Sequence, residues 1–315
     1  MLAAEHLERA LAHVSLEEGS NPERLRELAS RDIDAATALL DAVLRAQPDN
    51  AALIEAVDAW SPEARTPALP YTLLIAPAAG YREAPEYGGD GRVAREVATR
   101  LGMPNEVIPL ESLGSIRTNA GLIREALGGR EERSVILVSI SKGGAETRVA
   151  LSEEGPWRRA VAGWLNVGGL LRGTPLVDYR AGNRVGYLVG RALMLLKGVP
   201  RVFLEDLGYE SPLLRAQDGS PPGVPTVNLV GLPLGAHLQG RLASRHRTLA
   251  RFGPNDGYVP TLDALIPGAP TYPLWGASHY FDTAELPRVL SGITAWLGAV
   301  VASRPNHPGS LPCDP

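Results

Sequence analysis

The sequence predicts an α/β protein in which a mostly parallel sheet carries helices on both faces. Short apolar runs of the length of buried strands alternate with stretches in which apolar residues recur at helical spacing, and this alternation is typical of a parallel sheet. The 315 residues are 44% hydrophobic and 21% charged, which is ordinary for a globular chain and a poor fit to disordered, collagen-like or coiled-coil proteins. The length accommodates two domains, or one large domain with an appendage.

The predicted elements of the sheet domain follow one another along the chain, and their alternation implies a sheet covered on both faces. A further short strand is expected just before His279. The predicted strands are Tyr71–Ala76, Glu106–Leu110, Ser134–Ser139, Val161–Val167 and Thr226–Val230. The predicted helices are Arg92–Leu101, Ile116–Leu127, Gly143–Leu151 and Thr283–Ala302.

Residues 1–66 form a predicted helical appendage. Their apolar residues recur at helical spacing, and no fixed-period repeat is visible. Three prolines in the ten residues 61–70 mark a linker, since proline neither continues a helix nor joins the interior of a sheet. Residues 67–303 are the predicted sheet domain, and residues 304–315 are a predicted proline-rich tail, extended or disordered.

The strongest local motif is an apolar strand that ends in a tight turn and opens onto a helix, at residues 135–144. Small residues, Ser139 and Gly143, stand two positions before and two after Ser141, as in a nucleophile elbow, where strand and helix approach closely. Glycine is usual at both positions, so Ser139 departs from the pattern. If Ser139 were the nucleophile, Leu137 would occupy the crowded position, and Ser141 is therefore the predicted nucleophile. An ordinary strand-to-helix turn is the alternative interpretation.

Two later loops contain candidates for the base and the acid that a nucleophilic serine needs. Asp256 precedes a glycine within residues 253–260, where a plain turn is the alternative interpretation. His279 lies in a glycine-containing loop between the last short strand and the C-terminal helix, where a surface histidine is the alternative. The other histidines lie in the helical appendage, in a polar insertion or in the tail, and are His6, His13, His237, His246 and His307.

The order Ser141, Asp256, His279 resembles that of the catalytic triad in the α/β-hydrolase superfamily. The chain from about residue 70 to residue 303 is most similar to the lipase and esterase branch of that superfamily. The resemblance implies the α/β-hydrolase fold, a catalytic role for these three residues and no cofactor.

The resemblance also implies an oxyanion hole made of two backbone N–H groups. Lys142, the residue after the predicted nucleophile, would supply the first through its main chain. The loop after the strand Tyr71–Ala76 would supply the second from Ala78 or Ala79, because Pro77 has no N–H. The histidine-glycine start that is usual for this loop is absent.

Residues 175–222 are the predicted cap. The preceding stretch, residues 164–175, looks like the strand and loop from which lipase-like members of the superfamily build a cap. An apolar cap favours an acyl substrate and excludes water from the site, whereas a helix buried in the core is the alternative interpretation. The apolar residues concerned are Tyr187, Leu188, Leu193, Met194, Leu195 and Leu196.

Composition and motifs weigh against several classes of function. Lys and Arg number 31 against 35 Asp and Glu, a net charge of -4, so the basic excess of a nucleic-acid-binding protein is absent. No metal-ligand motif and no phosphate loop is present. The single cysteine, Cys313, cannot form an internal disulfide. The N-terminus does not resemble a secretory signal and no apolar run is long enough to span a bilayer, so we expect a cytoplasmic protein with no transmembrane segment.

The main functional hypothesis is a serine hydrolase that cleaves a carboxylic ester or related acyl compound, small or lipid-like, through an acyl-enzyme on Ser141. An acyltransferase or thioesterase would use the same three residues. A second alternative is a non-catalytic scaffold that keeps the sheet and contacts a protein partner through residues 1–60.

Overall fold

A parallel sheet of six strands forms the centre of the computed structural model, which describes residues 2–61, 69–177, 184–196, 198–209, 211–217, 221 and 223–303. Neighbouring strands are parallel throughout, so the predicted fold class is confirmed. The strands are β1 (Thr72–Ala76), β2 (Asn105–Val107), β3 (Val135–Ile140), β4 (Val161–Val167), β5 (Thr226–Leu232) and β6 (Thr271–Trp275).

Helices precede the sheet, connect its strands and follow its last strand. Those before the sheet are α1 (Leu2–Leu11), α2 (Pro22–Arg31), α3 (Ile33–Ala46) and α4 (Pro48–Asp58). Those between strands up to β4 are α5 (Arg92–Arg100), α6 (Ile116–Leu127) and α7 (Lys142–Ser152). Those after β4 are α8 (Arg184–Leu196), α9 (Arg201–Asp206), α10 (Pro212–Arg215), α11 (Gly240–Leu249) and α12 (Leu286–Ser303).

The order of the strands locates a crevice at the carboxyl end of the sheet. The order is β2-β1-β3-β4-β5-β6, so the chain winds outward from β1 to β2, returns to the other side of β1 and then winds outward in the opposite direction. Where the winding reverses, between β1 and β3, the loops after the two strands separate and leave room for a ligand. Ser141 follows β3, and Ala78 and Ala79 follow β1, so the sequence candidates meet at this crevice.

The helices before the sheet are part of its hydrophobic core. Along β1, Leu74 and Ala76 contribute to one buried cluster, and Leu73 and Ile75 contribute to the other, as strand alternation requires. The first cluster includes side chains of α1, α2, α3, α6 and α7, and the second includes side chains of α4, α5 and α12. The helices that precede the sheet therefore pack on both of its faces.

Two of these helices also protect the open edge of β6. Asn50 of α4 accepts a hydrogen bond from the backbone N–H of Thr271 at 2.7 Å, and Arg45 of α3 donates to the carbonyl of Pro273 at 3.3 Å. Unpaired backbone groups at a sheet edge invite pairing with another chain, and these side chains occupy two of them. The domain boundary at residue 66 and a protein partner for residues 1–60 stay predictions.

The predicted β2 is wrong in its second half. The prediction was Glu106–Leu110, whereas the strand is Asn105–Val107. Pro109 has no N–H with which to continue the ladder, so the strand ends before it. The bounds of β4 are as predicted, and those of β1, β3 and β5 differ by one or two residues.

The predicted start of the last helix, Thr283, is also wrong, because α12 begins at Leu286. A helix from Thr283 would need an N–H from Pro287 to bond the Thr283 carbonyl, and proline has none. Among the described residues α12 alone is long and apolar enough to cross a bilayer. However, 56% of that window is buried and its apolar side lies in the second cluster, so α12 is a core helix.

The described parts of the predicted cap contain α8, α9 and α10, between β4 and β5. The alternative of a helix buried in the core is wrong for α8, because Leu188, Leu193, Leu195 and Leu196 are exposed. The side chain of Tyr187 and the predicted tail lie outside the described residues.

Candidate active site

Ser141 stands in a sharp turn between β3 and α7. Its backbone has φ 54° and ψ -116°, a positive φ that a residue with a Cβ seldom adopts. Two residues later, a Cβ on Gly143 would lie 2.4 Å from the carbonyl oxygen of Ala76 and 2.8 Å from that of Pro77. The turn thus fits only with glycine at that position, as the sequence predicts for a nucleophile elbow.

The position two residues before Ser141 accommodates a serine instead of the usual glycine. Ser139 is fully buried, and its Oγ accepts a hydrogen bond from the indole N–H of Trp164 on β4 at 2.8 Å. The hydroxyl therefore has a partner in the core, and the departure from the usual pattern leaves no unsatisfied polar group here.

Ser141, His279 and Asp256 form one hydrogen-bonded line. The Oγ of Ser141 lies 2.9 Å from Nε2 of His279, and Nδ1 of His279 lies 2.6 Å from Oδ2 of Asp256. With the imidazole proton on Nδ1, the ring donates to the carboxylate and Nε2 accepts from the serine hydroxyl. His279 and Asp256 are both buried, so these contacts are shielded from water.

The carboxylate of Asp256 is oriented by its own loop. Its Oδ1 accepts the backbone N–H groups of Tyr258 at 2.8 Å and Val259 at 2.9 Å, which leaves Oδ2 for the imidazole. The backbone N–H of His279 donates to the carbonyl of Asp256 at 3.0 Å. The two loops are therefore joined both by their main chains and by their side chains.

Behind this loop lies a second buried histidine. Asn255 accepts from the N–H of Gly257 at 3.0 Å and donates to the carbonyls of His246 and Gly253. Nδ1 of His246 contacts the carbonyl of Asn255 at 3.0 Å. Burial lowers the pKa of the His246 imidazole, which is 1% exposed. The sequence places His246 in a polar insertion, and in the structure it lies on α11 with its side chain turned into the interior.

The two candidates for the second oxyanion donor differ in their hydrogen bonds. The N–H of Ala78 donates to the carbonyl of Gly89 at 2.8 Å, whereas in the described part of the chain the N–H of Ala79 has no acceptor. Lys142 is the first residue of α7, where a backbone N–H has no partner within the helix. Of the three candidate donors, Lys142 and Ala79 therefore have a free backbone N–H, and Ala78 does not.

The side chain of Lys142 forms a buried ion pair. Its Nζ contacts Oε1 of Glu146 one turn later on α7, and both side chains are 1% exposed. Asn119 of α6 donates to the same carboxylate at 2.6 Å, and the ring of Phe203 on α9 lies 5.7 Å from Nζ. Burial raises the pKa of the Glu146 carboxyl to about 7; the nearby Asp206 also raises it, while Lys142 and Asn119 lower it.

Three tyrosines line the histidine side of the site. The ring of Tyr258 stacks on the imidazole of His279, with centroids 4.7 Å apart, and its hydroxyl lies 2.8 Å from that of Tyr280. Tyr280 stacks on Tyr87 at 4.5 Å, and the guanidinium of Arg245 lies 4.4 Å from the ring centre of Tyr258. Burial and the neighbouring Tyr258 raise the pKa of the Tyr280 hydroxyl.

The sequence predicts Ser141, His279 and Asp256 but not the residues that hold them in place. Tyr258 and Tyr280 lie within two positions of Asp256 and His279, so adjacency was the available signal. Glu146 lies four positions after Lys142 on one helix face, a spacing typical of exposed pairs, and nothing in the sequence indicates that this pair is buried.

Comparisons with solved structures identify the fold. A metagenomic carboxyl esterase is 19% identical, with 74% of this chain and 76% of that chain covered and a TM-score of 0.61. A Bacillus licheniformis lipase in its mature form is 20% identical, with 74% of this chain and 91% of that chain covered and a TM-score of 0.50. The chain has the α/β-hydrolase fold. A scan of protein-family models and a search of curated proteins both gave no match.

Proposed function

We propose that this protein is a serine hydrolase that cleaves a carboxylic ester. The observation that carries the proposal is the unbroken line of hydrogen bonds from Ser141 through His279 to Asp256, which ends on a serine held in a strained turn at the sheet's crevice. A serine hydroxyl becomes a nucleophile at neutral pH when an adjacent base accepts its proton. The esterase and lipase named above share the fold, and this is consistent with the proposal.

In the first half of the reaction, Oγ of Ser141 attacks the carbonyl carbon of the ester while Nε2 of His279 accepts the hydroxyl proton. Asp256 stabilises the resulting imidazolium and holds the ring in position. The tetrahedral intermediate then collapses: the bond from carbon to the alcohol oxygen breaks, and His279 gives its proton to the departing alcohol. The acyl group remains on Ser141 as an ester.

In the second half, water replaces the alcohol. Nε2 of His279 accepts a proton from water as the water oxygen attacks the acyl carbon. The bond to Oγ of Ser141 breaks, and the proton returns to that oxygen. The products are one carboxylic acid and one alcohol, and the residues end in their initial protonation states.

The backbone of the elbow and of the loop after β1 stabilises the oxyanion in this proposal. The N–H of Lys142 is the first donor, and the N–H of Ala79 is the second, because the N–H of Ala78 is used by Gly89. Such donors are aimed before the reaction begins, so they stabilise the developing charge without reorganisation.

The proposal is tested with a fluorophosphonate, which labels an activated serine whatever the substrate. We expect intact-mass measurement to find one adduct on the wild-type protein and none on Ser141→Ala or His279→Ala. The matched controls are Ser244→Ala, an exposed serine of α11, and His237→Ala, and both should label like the wild type. An adduct that persists on Ser141→Ala, or none on folded wild-type protein, contradicts the proposal.

A panel of p-nitrophenyl esters of increasing acyl length then measures hydrolysis. We expect Ser141→Ala to lower kcat/KM by at least about 10⁴-fold at every length, since the serine supplies the covalent step. Equal turnover by Ser141→Ala and wild type would contradict the acyl-enzyme mechanism.

A further inference from the structure

The ring of Tyr258 covers one side of the imidazole of His279. The two ring centres are 4.7 Å apart and the two planes meet at 27°, so the rings are stacked. His279 is 8% exposed, and Tyr258 is half-buried. Tyr258 stands two positions after Asp256. One loop therefore supplies both the carboxylate at Nδ1 of His279 and the ring against its face.

The ring of Tyr258 is itself held by its surroundings. Its hydroxyl lies 2.8 Å from that of Tyr280, and the guanidinium of Arg245 on α11 lies 4.4 Å from its ring centre. The main chain of Tyr258 makes two further contacts: its N–H donates to Asp256 at 2.8 Å, and its carbonyl accepts from the hydroxyl of Thr174. A substitution at this position therefore removes the ring and leaves the backbone contact that orients Asp256.

The hydrogen bonds of His279 restrain its ring unevenly. They run from Nε2 to Ser141 and from Nδ1 to Asp256, so each acts at one nitrogen. These contacts fix the two ends of the imidazole, whereas a tilt of the ring about the line between them changes their lengths little. A ring packed on the imidazole face resists that tilt, because the two rings would otherwise overlap or separate.

The restraint matters most once the serine has been acylated, an argument that rests on the proposed function. In the acyl-enzyme, Oγ of Ser141 carries the acyl group and has no proton to donate, so Nε2 of His279 loses this hydrogen bond. Asp256 still holds the imidazole at Nδ1, and the stack with Tyr258 remains. The new partner of Nε2 is a water molecule, which is mobile and does not fix the ring.

We propose that Tyr258 is a positioning residue that keeps the imidazole of His279 aligned in the acyl-enzyme, so that Nε2 accepts the proton of the attacking water. Tyr258 acts through His279. Removal of its ring should slow deacylation more than acylation, because Ser141 helps to hold the imidazole only in the first half of the reaction. A residue that merely supported the fold would slow both halves alike.

The two halves are measured separately with p-nitrophenyl acetate at saturation. Acid quench in the steady state, followed by intact-mass measurement, gives the acylated fraction, and this fraction together with kcat gives both rate constants. The initial burst of p-nitrophenol gives the acylation constant independently. We expect Tyr258→Leu to lower the deacylation constant about tenfold and the acylation constant at most about threefold, so that the acylated fraction rises. Tyr258→Phe keeps the ring, and both constants should stay within about twofold of the wild type.

The matched control is Tyr209→Leu. Tyr209 is also half-buried, its hydroxyl donates to Asp263 at 2.9 Å, and its ring contacts the edge of Phe252. Its loss should lower stability and leave the ratio of the two rate constants as in the wild type. Circular dichroism and thermal unfolding verify that the variants fold. The proposal is overturned if Tyr258→Leu leaves the ratio unchanged, if Tyr209→Leu changes it equally, or if Tyr258→Phe does not restore it.

Nuclear magnetic resonance tests the stack without turnover. The ring current of an aromatic face shields the protons of a group stacked on it, so in protein labelled with ¹³C-histidine the Cε1 proton of His279 should lie at low frequency. His279→Ala assigns the signal. Tyr258→Leu should move it to higher frequency and Tyr258→Phe should not, and an unmoved signal in Tyr258→Leu overturns the proposal.

Failure of this proposal is distinguishable from failure of the proposed function. Wild-type protein that forms no fluorophosphonate adduct and hydrolyses no ester overturns both. Wild-type protein that labels and hydrolyses, with an unchanged ratio of rate constants in Tyr258→Leu, overturns only the role of Tyr258.

Discussion

Ser141 is held by its backbone, whereas His279 and Asp256 are held by hydrogen bonds between two loops. On the nucleophile side, the positive φ of Ser141 and the close approach of Gly143 to the end of β1 fix the backbone conformation of the turn. On the acid and histidine side, the side chain of Asp256 holds the geometry. It accepts two backbone N–H groups of its own loop and contacts the imidazole of His279. Each side has its own buried support, an ion pair in one and an Asn–His contact in the other.

The two halves of the site are therefore sensitive to different kinds of substitution. A rigid backbone turn tolerates loss of its side chain, because the main chain fixes the geometry. A loop held by side-chain hydrogen bonds loses its geometry when a partner is removed, because the buried donors and acceptors are left unsatisfied. We therefore expect loss of the Ser141 side chain to abolish activity with little loss of stability. In the acid loop, loss of a side chain should lower stability as well.

The largest effect is expected for Asp256→Asn. The amide in place of the carboxylate favours the wrong tautomer of His279 and no longer stabilises the imidazolium, so ester hydrolysis should slow by about 10⁴-fold in kcat. The free energy of unfolding and kcat are measured together. Asp282→Asn, at an exposed residue three positions after His279, is the control and should hydrolyse esters like the wild type. A fall in kcat of less than tenfold would contradict the proposed role of Asp256.

The next effect is on stability, at the ion pair beneath the nucleophile. Glu146→Gln leaves the buried ammonium of Lys142 without a counter-charge, and at pH 8, where the wild-type carboxyl is ionised, we expect the free energy of unfolding to fall by about 3 kcal/mol. Denaturant titration measures it. Glu27→Gln breaks a pair of the same spacing with Arg31 that is exposed, and it should change stability little. Equal losses of stability in the two variants would contradict the idea that burial makes the Lys142–Glu146 pair important for folding.

The same pair gives stability a pH dependence. Burial raises the pKa of Glu146 from its ordinary 4.5 to about 7, so between these values the folded protein holds a proton that the unfolded chain releases. The contribution of this group to stability therefore falls as pH rises through that window and is constant above it. Lys142→Met with Glu146→Leu removes the contribution, so its stability relative to wild type should rise from pH 5 to pH 8. A constant difference over that range would contradict the raised pKa.

A smaller effect is expected behind the acid loop. Asn255→Ala removes the contacts of one side chain with Gly253, Gly257 and His246, and should cost about 2 kcal/mol of stability. We expect kcat to fall by less than in Asp256→Asn, since the carboxylate remains. The control is Asn105→Ala, at a half-buried residue of β2. Unchanged thermal unfolding of Asn255→Ala would mean that the loop does not depend on this side chain.

The smallest effect is a gain. Ser141→Gly removes the Cβ from a positive φ and should raise the free energy of unfolding by about 1 kcal/mol over Ser141→Ala, which keeps the Cβ. Thermal unfolding of the two variants makes the comparison, and both are expected to lack hydrolysis. If the alanine variant is as stable as the glycine variant, the turn at Ser141 stores no strain.

The parts of the fold that the sequence predicted are those decided locally. The strand Val161–Val167 is buried along its whole length, and an apolar run interrupted by one polar residue, Asn166, is sufficient to predict it. The errors at β2 and α12 both come from prolines, Pro109 and Pro287, whose missing N–H groups limit a hydrogen-bonding pattern that hydrophobicity alone does not register. The order of Ser141, Asp256 and His279 was visible because each stands in a short local motif: Ser141 and His279 shortly after a strand, and Asp256 before a glycine turn.

The supports of the site could not be predicted, because they depend on contacts between distant segments. Ala78 and Ala79 are equivalent in the sequence, and the hydrogen bond to Gly89 distinguishes them. Lys142 and Glu146 have the pattern of an exposed pair, and their burial follows from the packing of α7 under α6 and α9. Helix α8 has the apolar composition of a core helix. Only the exposure of its leucines in the folded chain shows that it is not buried in the core.

The packing of α3 and α4 around β6 has a consequence for any shortened chain. A protein that began after residue 60 would lose the helices that cover part of each hydrophobic cluster and would expose the backbone edge of β6. We expect such a protein to aggregate, so deletion of these residues does not test for a protein partner. Exposed residues of the first helices can therefore be substituted, whereas deletion of these helices should destabilise the sheet. We therefore expect the first sixty residues and the sheet to fold as one unit.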